Sequence, residues 1–227
     1  MNITFTKTYG FDDLEQPQPA SKFIPDWYKN IESYINKEKN LNSNSNTGVT
    51  IKRCMPVFDA MNAGYIITSP IDVYVTIKNS QQFFEWSGLP LISFHPIEQA
   101  PTHPIKNEYP YPKWNNSWSI RTPKGYSTMF VQPMHRESIF TILPGIVDTD
   151  EYYAPVNFPF VINDPKFEGL IPKGTPVAQV IPFKRESWTM QFGALKEIKE
   201  QRIIANKLSS KLFGAYKNMF RTNKKYK

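Results

Sequence analysis

The sequence predicts a mainly β body, closed or sandwich-like, with a short helix before it and a basic amphipathic helix after it. Three observations lead to this fold class. The 227 residues include 20 prolines against 10 glycines, and proline blocks long helices because it lacks a backbone N–H donor. Short runs of β-branched and aromatic residues alternate with turn residues through the middle of the chain. The last segment, in contrast, repeats its apolar residues at helical spacing.

The first 47 residues are predicted to lie outside the folded body. Residues 1–20 should form an extended arm with a proline-marked turn. Pro25 and Asp26 then open a short helix, because the residues that follow place apolar side chains on one side at helical spacing. Residues 37–47 are almost wholly polar, which is typical of a flexible linker.

The β body is predicted to span residues 48–193. Many short strands without intervening helices indicate an all-β architecture. We expect strands at residues 49–54, 64–68, 71–77, 118–121, 126–132, 139–143, 156–162 and 176–183.

Between these strands, residues 81–118 are looser and rich in aromatic side chains, and we call this stretch the aromatic insert. Packing over the body or a subunit interface is the favoured role, since large aromatics most often supply buried area. Stacking on sugars or bases is the alternative. The side chains concerned are Phe83, Phe84, Trp86, Phe94, Tyr109, Tyr111, Trp114 and Trp118.

The third predicted region, residues 194–227, is the basic amphipathic helix. It holds ten Lys or Arg and two Glu, a net charge of +8, so the net charge of +7 for the chain leaves about −1 for the rest. The apolar stripe favours docking on the body or a second subunit, while the basic face leaves nucleic acid or a membrane surface as alternatives. The stripe consists of Ile204, Leu208, Leu212, Tyr216 and Phe220.

The remaining composition limits the location of the protein and its metal chemistry. Cys54 is the single cysteine, which excludes an intrachain disulfide and a cysteine zinc site. The histidines at 95, 103 and 135 lack metal-ligand spacing, so no metal site is predicted. No run approaches the roughly 18 apolar residues of a membrane span, and the N-terminus has no signal pattern. A cytoplasmic protein is the expectation.

Residues 144–183 are the most informative stretch for chemistry. Asp148 and Asp150 lie two residues apart and would project from one face of a strand, as a metal-binding or water-activating pair does. The alternative is that both are turn residues that accept hydrogen bonds from backbone amides. Three basic side chains and one histidine flank the region and could bind a nucleotide or another phosphate, or could be scattered solvated groups: Arg121, Lys124, His135 and Arg136.

This stretch resembles the dUTPase and dCTP deaminase family, which has a β-clip fold. GIVDTD at residues 145–150 is similar to the family's Gly-x-Ile-Asp-x-Asp-Tyr turn, and KGTPVAQV at 173–180 to its Pro-Gly-Asp-x-Ile-Ala-Gln-Leu strand. NAGY at 62–65 and PKGY at 123–126 extend the similarity over residues 61–183. The resemblance implies a trimer that exchanges strands or tails. It also implies Asp148 as the water-activating carboxylate and Tyr152 or Tyr153 as the base-stacking ring.

The sequence departs from the family at the positions whose residues carry the family's chemistry. The family's metal-binding Asp falls on Ile66, and VQPMHRES at 131–138 lacks the Ser-Gly pair that would hold phosphates. A lysine-rich helix replaces the glycine-rich tail, and the deaminase Glu is missing from residues 157–162. Phosphoryl transfer depends on positioned cations and donors, so their joint loss predicts loss of the reaction.

The sequence therefore predicts a non-catalytic dUTPase-like protein that acts as a homo-oligomeric binding or assembly module without a cofactor. One alternative is a diverged nucleotide pyrophosphatase, which would need Mg²⁺. Another is a viral carbohydrate- or receptor-binding module that uses the aromatic insert. FIPDWYK at 23–29 and PKGYS at 123–127 also resemble uncharacterised proteins of bacteriophages and bacteria. For a viral protein the expected location is the host cytoplasm or the virion.

Overall fold

The structure, a computed structural model, describes residues 1–8, 14–35, 49–79, 81–88, 90–99, 110–209 and 214–227. Within these residues the α-helices are α1 (Asp26–Asn30), α2 (Met55–Asn62), α3 (Leu195–Ser209) and α4 (Ala215–Met219). The strands are β1 (Thr4–Lys7), β2 (Gln18–Pro19), β3 (Tyr65–Thr68), β4 (Val73–Lys78), β5 (Gln81–Glu85), β6 (Ile92–His95), β7 (Tyr111–Trp114), β8 (Trp118–Arg121), β9 (Tyr126–Val131), β10 (Phe140–Ile142), β11 (Gly145–Val147), β12 (Phe158–Ile162), β13 (Gly169–Ile171) and β14 (Pro176–Lys184).

The strands form four antiparallel sheets. Their orders are β1-β8, β10-β12-β7-β6, β11-β9-β14-β3-β2 and β13-β4-β5. The predicted mainly β fold, with a short N-terminal helix and a C-terminal amphipathic helix, is confirmed. The sheets of the described residues stay separate and do not close into one barrel.

The core is rich in aromatic side chains, several of which come from the aromatic insert. The Phe160 ring lies 5.2 Å from the Trp114 ring, 5.4 Å from Phe140 and 5.6 Å from Phe84, between ring centroids. Trp114 and Trp118 are both buried. The favoured prediction of packing is thus confirmed for these side chains, because they fill the space between the sheets. Tyr109 lies outside the described residues.

The extended N-terminal residues pair with strands of the body. In β1, Phe5 lies opposite Ile120 of β8, and in β2, Gln18 lies opposite Ile66 of β3. Helix α1 confirms the predicted short helix. The predicted linker at 37–47 lies outside the described residues.

The predicted strand at 49–54 is wrong. Ile51–Arg53 is a 3-10 turn, and α2 follows it directly. The hydroxyl of Thr50 caps the turn by accepting a hydrogen bond from the Lys52 N–H, at 3.3 Å. Pro56 in the first turn of α2 suits a helix start, because its missing N–H would have no intrahelical acceptor there.

In the described part of the C-terminal region, the predicted helix is present as α3 and is followed by the separate short helix α4. Gly214 adopts a left-handed conformation with φ of 72° immediately before α4, which a continuing α-helix does not allow. Leu212 of the predicted stripe lies outside the described residues. Helix α3 has no buried residue, so Ile204 and Leu208 are both exposed. Docking of the stripe on a second subunit stays a prediction.

The chain divides into two compact units. Unit 1 consists of Met1–Phe23, Ala63–Arg185 and Tyr226–Lys227, and unit 2 of Ile24–Asn62 and Glu186–Lys225. These bounds differ from the predicted division into residues 1–47, 48–193 and 194–227, which stays a prediction about domains. Among the described residues, no helix has the length and apolar character needed to cross a membrane.

Unit 2 is joined internally by an ion-pair cluster around Asp59 of α2. Arg221 donates to the Asp59 carboxylate at 2.7 Å, and Lys224 donates to it at 3.0 Å. These hydrogen bonds, that of Arg221 first, lower the pKa of Asp59 against the opposing effect of burial. The cluster links the two chain segments that make up the unit.

Candidate functional site

The predicted aspartate pair lies at a corner where three strands of the five-stranded sheet end. Strand β11 pairs with β9, which in turn pairs with β14. Asp148 follows β11, Ser127 belongs to β9 and Arg185 follows β14, so the register brings these three side chains together. We call the group formed by Gly125, Ser127, Asp148, Asp150 and Arg185 the Asp–Arg corner.

The guanidinium of Arg185 contacts both aspartates. Its Nη1 lies 2.6 Å from Asp150 Oδ1 and its Nη2 lies 2.5 Å from Asp150 Oδ2, a bidentate pair. The same Nη1 lies 3.1 Å from Asp148 Oδ1 and 3.2 Å from Ser127 Oγ. One nitrogen is therefore surrounded by oxygens of three residues.

The two aspartates differ in environment. The Asp150 side chain is 2% exposed, and its carboxylate also accepts the Gly125 N–H at 2.8 Å. The hydrogen bonds from Arg185 are the main cause that lowers the pKa of Asp150 to about 2, and the hydrogen bond to Asp150 is the main cause that raises the pKa of Arg185. The Asp148 side chain is 61% exposed and accepts a hydrogen bond from Ser127 at 2.6 Å. Asp150 thus fits the turn-residue alternative.

Thr149, between the aspartates, is buried and fixes the turn. Its hydroxyl lies 2.8 Å from the hydroxyls of both Thr122 and Thr128. Sequence reasoning did not find this network or Ser127 and Arg185. Thr122 just after β8 and Thr128 of β9 face the turn and are a weak signal, whereas Arg185 stands 35 residues beyond Asp150 without a motif around it.

The two tyrosines after the turn have different surroundings. The Tyr153 hydroxyl donates to Thr6 Oγ1 at 2.5 Å, and the Arg121 guanidinium lies 4.1 Å from the centre of its ring. Arg121 therefore covers one face of that ring, as a cation–π contact does. Tyr152 is 51% exposed and Tyr153 is 42% exposed, so a ligand could reach the ring of Tyr152 without displacing Arg121.

The other candidates for binding an anion have separate positions. Lys124 is exposed in the turn between β8 and β9, next to Gly125. His135 is exposed and has a positive φ of 58°. Arg136 donates to the backbone carbonyls of Phe23, at 2.9 Å, and Ala20, at 3.0 Å, and burial lowers its pKa to about 10. Arg136 thus anchors an N-terminal segment, whereas Arg121 and the aspartates surround the turn.

The segment expected to carry the phosphate-binding motif, residues 131–138, makes hydrogen bonds within the fold. The Met134 N–H donates to Gln179 Oε1 at 2.9 Å, and Gln179 Nε2 donates to the Ala63 carbonyl at 2.7 Å. Gln132 Oε1 accepts the N–H of Ile142 at 2.9 Å. The backbone donor at Met134 is therefore already occupied.

The position of the family's metal-binding Asp does not suit a cation. Ile66 lies in β3 and is fully buried, with an alkyl side chain that cannot ligate Mg²⁺. In the part of the chain that the structure describes, no three acidic, His or Cys side chains are grouped as metal ligands. The residues present therefore do not fit the family's metal.

Two residues shared with the family's motifs have structural roles. Gly64 has a φ of +69°, and a Cβ there would lie 1.9 Å from the Val180 carbonyl oxygen. Gln179 is fully buried and connects Met134 to Ala63. Both residues serve the fold in this chain.

Neither a protein-family model nor a curated protein matches the chain. Two matching structures are phage dUTPases, the kind of protein that residues 61–183 resemble in sequence. The dUTPase of Staphylococcus bacteriophage 80alpha, a point mutant described as controlling transfer of virulence genes, is 10% identical, with 86% of this chain and 96% of that chain covered and a TM-score of 0.35. The dUTPase of phage phi11 of S. aureus, a point mutant described for its structural Mg(II) ion, is 12% identical, with coverages of 72% and 90% and a TM-score of 0.31. At these identities and TM-scores the likeness does not extend to activity or to individual site residues.

Proposed function

We propose that this chain is a non-catalytic, dUTPase-like protein that acts as an oligomeric binding or assembly module. The observation that carries the proposal is the position of Arg185. Its guanidinium contacts both Asp148 and Asp150, the carboxylates that could activate water. A general base must have a lone pair directed at the water that it deprotonates, and the internal cation competes for those lone pairs.

The residues at the positions where the family holds phosphates and a metal support the same proposal. Hydrolysis of a nucleoside triphosphate needs donors and cations that neutralise the charge developing on the phosphates. Here the Met134 N–H is bonded to Gln179, and Ile66 stands where the family has a metal ligand. We therefore propose no cofactor for this chain.

One specific observation favours a second candidate, a diverged nucleotide pyrophosphatase. The carboxylate of Asp148 is largely exposed and the ring of Tyr152 lies in solvent beside the same turn. A nucleotide could therefore approach both, with Mg²⁺ supplied together with its phosphates. Binding of a nucleotide without turnover is compatible with the first proposal.

Hydrolysis assays distinguish the two functions. Each ribo- and deoxyribonucleoside triphosphate is incubated with the protein and Mg²⁺, and release of phosphate and pyrophosphate is measured. We expect no release above the Asp148→Asn variant. Turnover that Asp148→Asn abolishes and Asp164→Asn retains would establish the pyrophosphatase, because Asp164 is an exposed aspartate in a different turn.

The oligomer and the other partners need separate measurements. Native mass spectrometry of the protein from cells is expected to show three chains, and a monomer would refute the assembly role.

Nucleic-acid binding by the C-terminal region predicts a DNA affinity that falls steeply with salt and disappears when residues 194–227 are deleted. The carbohydrate module based on Trp114 and Trp118 has no support, because both indoles are buried.

A further inference from the structure

A surface groove of about 560 Å³ lies beside the hairpin formed by β4 and β5. It belongs to unit 1 and shares no residue with the Asp–Arg corner. Its volume is in the range of about 300–1,000 Å³ that small-molecule sites occupy. The side chains that bear on its chemistry are Asp72, Tyr74, Glu85, Trp86, Ser87 and Lys173.

Aromatic rings form one part of the groove. Val73 and Val75 of β4 are buried, so strand alternation turns Tyr74 to the outer face, where it is 54% exposed. Trp86 follows β5 and packs partly against the core. The groove thus offers an accessible ring on a rigid strand, next to a second ring fixed by packing.

Carboxylates lie beside the exposed ring. Tyr74 and Glu85 are directly opposite in the β4–β5 pairing, so their side chains lie next to each other on one face. Asp72 Oδ1 accepts the Lys173 N–H at 2.6 Å, which fixes the orientation of that carboxylate. The acceptors and the ring are therefore positioned before any ligand arrives.

The charges of the groove balance. Asp72 and Glu85 are matched by Lys173 and by Lys78, whose Nζ lies 3.6 Å from Glu85 Oε1. An anionic ligand would meet two carboxylates, and a purely apolar ligand would remove water from charged groups without replacing its hydrogen bonds. The ligand that fits is neutral, with hydroxyl groups and one apolar face.

We propose that this groove binds a neutral saccharide. The apolar face of a pyranose ring stacks on Tyr74, and its hydroxyls donate to the carboxylates of Asp72 and Glu85. Hydrogen bonds to ionised acceptors are shorter and stronger than neutral ones, which suits recognition of hydroxyls at an open surface. This activity goes beyond the proposed assembly role and does not depend on it.

A glycan array tests the proposal. The purified protein is applied to neutral oligosaccharides of glucose, galactose, mannose, rhamnose and N-acetylglucosamine, with sialylated and phosphorylated glycans on the same array. A signal from a subset of the neutral glycans is expected, and titration calorimetry with the best of them gives the affinity. Tyr74→Ala and Glu85→Gln should each weaken binding by about tenfold or more, because the first removes the stacking ring and the second replaces an ionised acceptor with a neutral amide.

Phe94→Ala is the matched control, because Phe94 is an exposed aromatic outside the groove and its loss should leave the affinity unchanged. Tyr74 and Glu85 are both exposed, so thermal unfolding close to that of the unaltered protein is expected for both variants. Three results would overturn the proposal. The first is no signal from any neutral glycan, and the second is binding that persists in both groove variants. The third is calorimetry in which uridine binds and none of the neutral sugars does.

Discussion

Replacing Gln179 by leucine should destabilise the protein without creating a cavity, because the two side chains have similar volumes. Gln179 is fully buried, accepts the Met134 N–H and donates to the Ala63 carbonyl. Leucine can do neither, so both backbone groups, each in a part-buried hydrogen bond, lose this partner. Each buried group left unsatisfied costs about 1–3 kcal/mol, and the greater apolar burial of leucine offsets part of this. We expect a loss of about 2–4 kcal/mol in the free energy of unfolding.

Urea unfolding followed by tryptophan fluorescence measures this loss as a lower midpoint concentration at unchanged slope. Gln179→Glu is the informative control. Its protonated carboxyl group can accept from Met134 and donate to Ala63, whereas the ionised form cannot donate and is a buried charge. Burial raises the folded-state pKa of this carboxyl above its unfolded value of about 4.3.

The glutamate variant should therefore come closest to the unaltered protein below about pH 4 and lose stability as the pH rises through the raised pKa. A leucine variant within about 0.5 kcal/mol of the unaltered protein, or a glutamate variant without this pH dependence, would refute the assigned role of Gln179.

Two further predictions concern the strand pairing and the Asp–Arg corner. Gly64→Ala should cost about 3 kcal/mol or more, or prevent folding, because the added Cβ meets a backbone oxygen of β14 and the φ is positive. Gly145→Ala, where the added Cβ meets nothing within 4 Å, is its control, and equal effects in circular-dichroism melts would contradict the argument. Asp150 has a depressed pKa of about 2, so its contribution to stability is complete above its unfolded value of about 3.9 and is lost as the pH falls towards 2. Melting temperatures of Asp150→Asn should lack this acid-dependent loss, and an unchanged acid profile would count against the Arg185 ion pair.

Strands with a local signal could be predicted from the sequence. Strands β3, β9 and β14 are rich in β-branched and aromatic residues between turn signals, and the structure has strands there. Strand β7 was missed because a proline at position 112 predicts an interruption of the strand. Pro112 lies opposite Phe94 of β6, but β12 pairs only with Lys113 and Trp114, so Pro112 needs no N–H donor towards β12.

The candidate site was predictable in part for the same reason. Asp148 and Asp150 are two residues apart, and a short motif identifies them. Arg185 joins them only through the pairing of β9 with β14, which places residues 35 positions apart in contact. No local pattern encodes that contact, so the charge balance of the corner could be known only from the fold.

Unit 2 consists of two segments that are far apart in the sequence, and this affects how the chain folds during synthesis. Its first segment, Ile24–Asn62, leaves the ribosome before Ala63–Arg185 has been made, yet Asp59 pairs with Arg221 and Lys224. At roughly 5–20 residues per second, translation of the intervening stretch takes about 6–25 s. A nascent chain halted before Arg221 therefore holds an unfinished unit 2, in which Asp59 still lacks both of these cationic partners.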